Sequence, residues 1–254
     1  TRTDFKEAIF TFKLDYTNPI TEEWTIETGA QYVLNDVSND YEVNNFADGA
    51  FVNDPGLTNV FEFDQKVLGL YGTGSYEGKK WGIKGGLRLE QTDQNTFLVT
   101  TSSANGQNYG NFFPSLHSSY KFSDKISLQA GYSKRIYRPR MWDLNPFFNI
   151  RNNYSVRQGN PELQPEFTDS YEITSIYILG VASINFGVYH RYTTDVIERI
   201  TTFENNVSTY RPENIGVNKA TGIEFNAKYS PAKWLTLNGD FNYNQFKRNG
   251  IFET

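Results

Sequence analysis

Trp81-Gly82-Ile83-Lys84-Gly85-Gly86-Leu87-Arg88-Leu89-Glu90 is the stretch whose reading decides the fold. Taken alternately, Trp81, Ile83, Gly85, Leu87 and Leu89 share one face, and Gly82, Lys84, Gly86, Arg88 and Glu90 share the other. Every charge lies on one side. A period of two belongs to a strand whose two faces meet different surroundings, and no helical phase reproduces it. The rule repeats outward from here. Ala8, Phe10, Phe12, Leu14 and Tyr16 oppose Ile9, Thr11, Lys13 and Asp15; Trp24, Ile26, Thr28, Ala30, Tyr32 and Leu34 oppose Thr25, Glu27, Gln31 and Asn35. Later runs place Leu116, Tyr120, Leu128, Phe186, Ile223, Phe225 and Phe241 on one side, and His117, Lys121, Gln129, Asn185, Glu224, Asn226 and Asp240 on the other. Two places resist the scheme: Trp234 is out of phase with Leu235 and Leu237, and Lys66 to Tyr76 reads in either phase.

Successive runs are joined by tight turns flanked by aromatics. Tyr16 and Trp24 bracket Asn18-Pro19, Tyr76 and Trp81 bracket Glu77 to Lys80, and Tyr229 and Trp234 bracket Ser230 to Lys233. Phe122 precedes Ser123-Asp124-Lys125, and Tyr177 precedes a turn at Leu179-Gly180. The alternate connections, near 36–61, 93–111, 138–165 and 200–208, are rich in Asn, Asp, Gly, Ser and Pro and read as long loops. The expectation is an all-β antiparallel meander of about ten strands. Short turns gather at one end with a girdle of aromatics, and long loops gather at the other, as in part of a transmembrane β-barrel. Glycines at Gly69, Gly72, Gly74, Gly85 and Gly86 would weaken a sandwich; in a barrel they permit bends or leave room in the lumen.

Composition narrows the class further. Hydrophobic residues are 38% of the 254 and mean hydropathy is -0.58, with no run near the roughly 18 apolar residues of a membrane helix. A barrel strand escapes that requirement because only alternate residues face lipid. The net charge of -5 argues against a nucleic-acid partner, which needs a basic face. With no cysteine there is neither a disulfide scaffold nor a thiolate metal site. No linker divides the chain and no leader opens it, so 1–254 reads as one architectural unit, mature or cut out of something longer.

Gly131-Tyr132-Ser133-Lys134-Arg135-Ile136-Tyr137-Arg138-Pro139, then Leu144-Asn145-Pro146, then Gly159-Asn160-Pro161-Glu162-Leu163-Gln164-Pro165-Glu166 form an ordered set. Asn214-Ile215-Gly216 leading to Gly222-Ile223-Glu224 follows. Phe113-Pro114-Ser115-Leu116 and Gly86-Leu87-Arg88-Leu89-Glu90 precede it. Together they resemble the barrel of a TonB-dependent outer-membrane receptor, of the outer-membrane β-barrel family. The resemblance implies a 22-stranded barrel in the outer membrane of a Gram-negative bacterium, closed by a plug and driven by the TonB complex. It also implies uptake of a bulky nutrient, such as a siderophore, glycan, peptide or vitamin, with a surface lipoprotein as a possible partner. The sequence itself shows no plug-like segment or TonB box, and about ten strands cannot enclose a plugged lumen. It is expected to be a middle part of the wall, whose partners are outer-membrane lipid, the plug and the remaining strands.

Arg135, Tyr137, Arg138, Arg140 and Trp142 gather at one strand end and the loop after it. As a binding mouth they offer guanidinium forks and ring faces to an anionic or ring-bearing solute. As a structural device, Arg138 and Pro139 anchor the loop against Glu162, Glu166 or a neighbouring wall. His117 and His190 lack metal-ligand spacing, and Asp36, Asp40, Asp48 and Asp54 read as solvated loop acids. No nucleophile elbow or phosphate loop is present, and no cofactor is expected. Two other readings remain open: a small autonomous barrel with hydrolase residues at its rim, and a soluble β-sandwich binding module.

Overall fold

The computed structural model describes residues 1–147, 149–152 and 154–250. In chain order the elements are β1 (Arg2–Pro19), β2 (Trp24–Glu42), β3 (Asn44–Ala47), β4 (Ala50–Asn53), β5 (Asn59–Glu77), β6 (Trp81–Leu98), β7 (Ser103–Ser123) and β8 (Ile126–Tyr137). A single helical turn, α1 (Met141–Leu144), is followed by β9 (Asn149–Asn152), β10 (Ser155–Arg157), β11 (Glu166–Leu179) and β12 (Ala182–Thr194). The chain continues through β13 (Ile197–Glu204), β14 (Val207–Asn214), β15 (Val217–Ala232) and β16 (Leu235–Asn249). Ten of these form one antiparallel sheet in the order β1-β2-β5-β6-β7-β8-β11-β12-β15-β16. It is a meander, each strand beside the next.

Three of the five tight turns fall at the expected residues; the first lies just after Asn18-Pro19, at 20–23, and the last at 233–234, with Ser230 to Ala232 continuing β15. Aromatic contacts line that end: Trp24 and Tyr76 approach at 5.1 Å, Trp81 and Tyr120 at 4.5 Å, and Tyr120 and Phe122 at 4.8 Å. Trp234 is out of phase because it occupies the turn between β15 and β16, where it is 84% exposed. The ambiguous run of β5 is settled by its partners. Tyr71 bonds Asp15 and sits beneath Arg88, so Leu68 and Leu70 point to the Leu87 side. A sandwich would bring Leu87, Phe186 and Phe225 together across a dry interior, but they are 47%, 42% and 39% exposed. One layer carries one continuous apolar face.

The long connections differ from the expectation at three places. Residues 36–42 continue β2 and 59–61 open β5, while 93–98 and 103–111 extend β6 and β7; only short segments of the expected loops are irregular. The region 200–208 lies within the β13–β14 hairpin. Polar composition suggested loops, yet Gln65 bonds Gln94 at 2.8 Å and Gln91 bonds Asn108 at 2.6 Å, so amides zip these strands together. At about 3.3 Å per residue the 19 residues of β2 span about 60 Å, far beyond the roughly 9 to 11 residues a tilted strand needs to cross hydrocarbon. The strands therefore continue well above the apolar band.

Above that band the face rule inverts. Val37, Phe61, Phe63 and Leu98 are buried on the Lys84 side, where Met141, Leu144 and Leu163 from the segment after β8 pack against them. What admits that segment is a split in the sheet. Pairing of β7 with β8 reaches only Ser115 opposite Ser133, although β7 pairs with β6 as far as Ser103 opposite Leu98. Pro114, which has no N–H to give a ladder, stands at the fork.

Candidate functional site

On the Lys84 side, polar groups are linked across the wall. Lys13 pairs with Asp15 at 2.9 Å, Asp15 accepts from Tyr71, and Arg88 lies over the Tyr71 ring at 5.3 Å. Gly69 makes room for this, since a Cβ there would lie 2.5 Å from Arg88 Nη2. Arg88 donates to Glu90 at 2.5 Å and to Gln31 at 3.0 Å. Glu90 in turn receives Arg138, at 2.5 Å, and Arg138 also reaches Thr92 at 3.0 Å. One buried carboxylate thus holds two guanidinium groups, one from the wall and one from the folded-in segment.

The segment is latched along its length. Gln107 Nε2 donates to the carbonyls of Pro161 and Leu163, both at 3.0 Å. Buried Asn160 donates to Pro212 O at 3.2 Å and to Glu213 at 2.9 Å, and Asn214 clasps Gln164 through two bonds of 2.8 and 2.9 Å. Glu166 accepts from the Ile197 amide at 2.7 Å; burial raises its carboxyl above the ordinary range despite that bond. The run from Gly159 to Glu166 is therefore a clamp between β7 and the β13–β14 hairpin.

Beside the clamp lies a chamber of about 350 Å³ whose lining includes Asn39, Tyr41, Trp142, Arg157, Arg199 and Tyr210. Trp142 is 58% exposed and stacks on Phe5 at 5.7 Å. Of the five residues singled out from the sequence, Trp142 alone lines this chamber. Arg138 is held in the wall by Glu90, the neighbouring-wall anchor among the structural options, and Glu162 and Glu166 are not its partners. Arg135 and Tyr137 are exposed on the Lys84 side of β8, and Arg140 is exposed at the entry to α1. Tyr41 and Arg157 come from stretches read as loops, Arg199 and Tyr210 flank another, and the four meet only through the register of distant strands, which no local pattern shows. His117 and His190 stand on opposite faces of the sheet and cannot share a site. Among the described residues, no group of three or more His, Cys, Asp or Glu is placed to hold a metal.

Among the described residues, Gln107 Oε1, Asn111 Oδ1 and Arg138 Nε are buried on this side without a hydrogen-bond partner, while the buried Tyr109 hydroxyl lies against Arg138 and Thr92. Gln107, Tyr109 and Asn111 occupy successive inward positions of β7.

A single curtain of strands, apolar on one face, polar on the other and ringed with aromatics at its short-turn edge, is the wall of a transmembrane β-barrel. The chain belongs to the outer membrane protein β-barrel family, whose model matches residues 1–253, and its place is the outer membrane of a Gram-negative cell. No curated protein matches it. Solved structures similar in fold include the copper transporter OprC (13% identity, TM-score 0.78, covering 97% of this chain and 39% of that one). Others are the ferric-catecholate import receptor Fiu of E. coli K12 (12%, 0.69, 98% and 39%) and the ferric citrate transporter FecA (14%, 0.68, 98% and 37%). The chain spans well under half the length of these structures.

Proposed function

We propose that this chain is one partial-barrel domain in the wall of an energy-coupled, TonB-dependent outer-membrane receptor that takes up a bulky nutrient. Its outermost strands, β1 and β16, do not pair with each other, and unpaired backbone is prohibitive in hydrocarbon, so further strands close the barrel. A plug domain then rests against the polar side and the TonB complex acts on it. The observation that carries the reading is the lumen side itself. It presents a linked polar network running from Lys13 and Tyr71 through Arg88 and Glu90 to Arg138, together with a chamber of rings and guanidinium groups. A polar face enclosed by a wall whose outer side is apolar suits the polar surface of a plug or a hydrated solute.

Capture takes place at the chamber. Trp142, Tyr41 and Tyr210 offer ring faces, while Arg199, with Arg135, Tyr137 and Arg140 along the approach, favours an anionic, ring-bearing solute. Arg138 acts by positioning the segment rather than by touching the solute. No bond is made or broken. Uptake of candidate solutes by cells carrying the whole receptor is the test. Collapse of the inner-membrane proton gradient is expected to abolish uptake, and Trp142→Ala to lower solute affinity with folding intact. Uptake unchanged without the gradient would overturn the energy-coupled reading.

A further inference from the structure

Where the apolar band ends toward the long loops, a charged collar begins on the Leu87 face. Its first charged residues are Lys6, Asp36, Lys66 and Asp93 on β1, β2, β5 and β6, then Lys134, Asp169, Lys219 and Lys247 on β8, β11, β15 and β16. The two halves of the collar are built differently. In the first, signs alternate and the lysines find carboxylates, with Lys6 at 3.8 Å from Asp4 and Lys66 at 3.7 Å from Asp64. In the second, none of Lys134, Lys219 and Lys247 forms an ion pair among the described residues. Lys134 lies over the Phe112 and Phe167 rings, each at 5.6 Å, and Lys219 over Tyr192 at 5.3 Å. The one carboxylate between them, Asp169, accepts the Tyr132 hydroxyl at 2.7 Å.

Register places these groups on one row. Lys134 is opposite Asp169, Asp169 opposite Tyr192, Tyr192 opposite Lys219 and Lys219 opposite Lys247. Below the row, small Ser118 and Ala130 open a shallow groove of about 410 Å³, flanked by Leu116, Ile173 and the tilted pair Tyr132 and Tyr171. His190 and Thr221, bonded to each other at 2.8 Å, close its far side. Three ammonium groups share the single carboxylate of Asp169, which is engaged by Tyr132, so the row keeps a positive excess that favours an added anion, and the apolar groove directly beneath asks for an acyl chain.

We propose that this half of the collar docks a phosphate-bearing glycolipid of the outer leaflet. Its phosphates lie among Lys134, Lys219 and Lys247, and one acyl chain fills the groove. The long-loop end of an outer-membrane barrel faces the outer leaflet, where such lipids sit. Continuity of the row with an apolar groove selects a lipid over free phosphate. The inference rests on the barrel's placement in the membrane and is independent of the solute transported.

The test uses the whole receptor, purified in neutral detergent and placed in phosphatidylcholine nanodiscs doped with diphosphorylated lipid A, with retained lipid counted by native mass spectrometry. Each lysine changed to Gln is expected to weaken retention about fivefold, from the typical strength of one Lys near an anionic surface. The triple variant K134Q/K219Q/K247Q then holds lipid A no better than wild type holds dephosphorylated lipid A. The double variant K6Q/K66Q, in the neutralised half, should match wild type. Ser118→Leu should fill the groove and reduce retention while heat unfolding stays unchanged. Equal retention by wild type and the triple variant would overturn the proposal. So would displacement of lipid A by inorganic phosphate at comparable concentration, which would mean an adventitious ion site.

Discussion

Strands β5 and β6 carry large apolar side chains on opposite faces at their two ends. Near the short turns Leu68, Leu70, Leu87 and Leu89 point outward to lipid; toward the long loops Phe61, Phe63 and Leu98 point inward and are buried, Phe61 to 1% exposure. The backbone alternation does not change between the two ends. What changes is the medium. Outside the lower half is hydrocarbon and inside is polar; outside the upper half is water, and inside is the folded-in segment with Met141, Leu144 and Leu163. A period of two therefore says that two faces differ, and only the surroundings say which of them is oily.

The largest expected effects lie at the boundary and in the inverted core. Glu90→Ala strands Arg88 and Arg138 without their shared carboxylate and is expected to cost about 3 to 5 kcal/mol. Urea unfolding in vesicles measures it, and hydrogen exchange should show the 138–165 segment opening first. Phe61→Ala, which empties a closed site above the membrane, should cost about the same, 3 to 5 kcal/mol. Faster exchange should stay confined to the upper strands, and an unaltered exchange pattern there would break the two-media account. Leu87→Arg puts a charge into the lipid face and should cost roughly 2 to 4 kcal/mol near the midplane, read as loss of the whole barrel at lower urea. The smallest effect belongs to Lys84→Arg, which keeps its charge beside Glu27 on the lumen side and should stay within about 0.5 kcal/mol. If Lys84→Arg and Leu87→Arg behave alike, inside and outside have been exchanged.

Ten strands, five tight turns and the facing of the membrane half were legible because hydrocarbon enforces one rule along each strand from Trp81 to Leu89 and its counterparts. The upper strands were not. Asp36 to Glu42 and Asp93 to Leu98 carry turn-forming residues, and their pairing depends on amides far apart in sequence, such as Asn95 bonding Asp64 at 3.3 Å. The candidate site shows the same limit. Trp142 was visible as an aromatic in an Arg-rich stretch, and the anchoring of Arg138 to a neighbouring wall was among the readings of that stretch. Its partner Glu90 lies 48 residues away, and Arg199 and Tyr210 approach Trp142 only once the β13–β14 hairpin folds over. No local pattern encodes such meetings.

The fork at Pro114 has a mechanical consequence. From Ser103 to Pro114, β7 is zipped to β6 alone, and its other border is held by a few side-chain bonds to the clamp. Tension applied from the cell surface would part the cylinder there first, peeling β7 and β8 away from each other while the ladders on either side still hold.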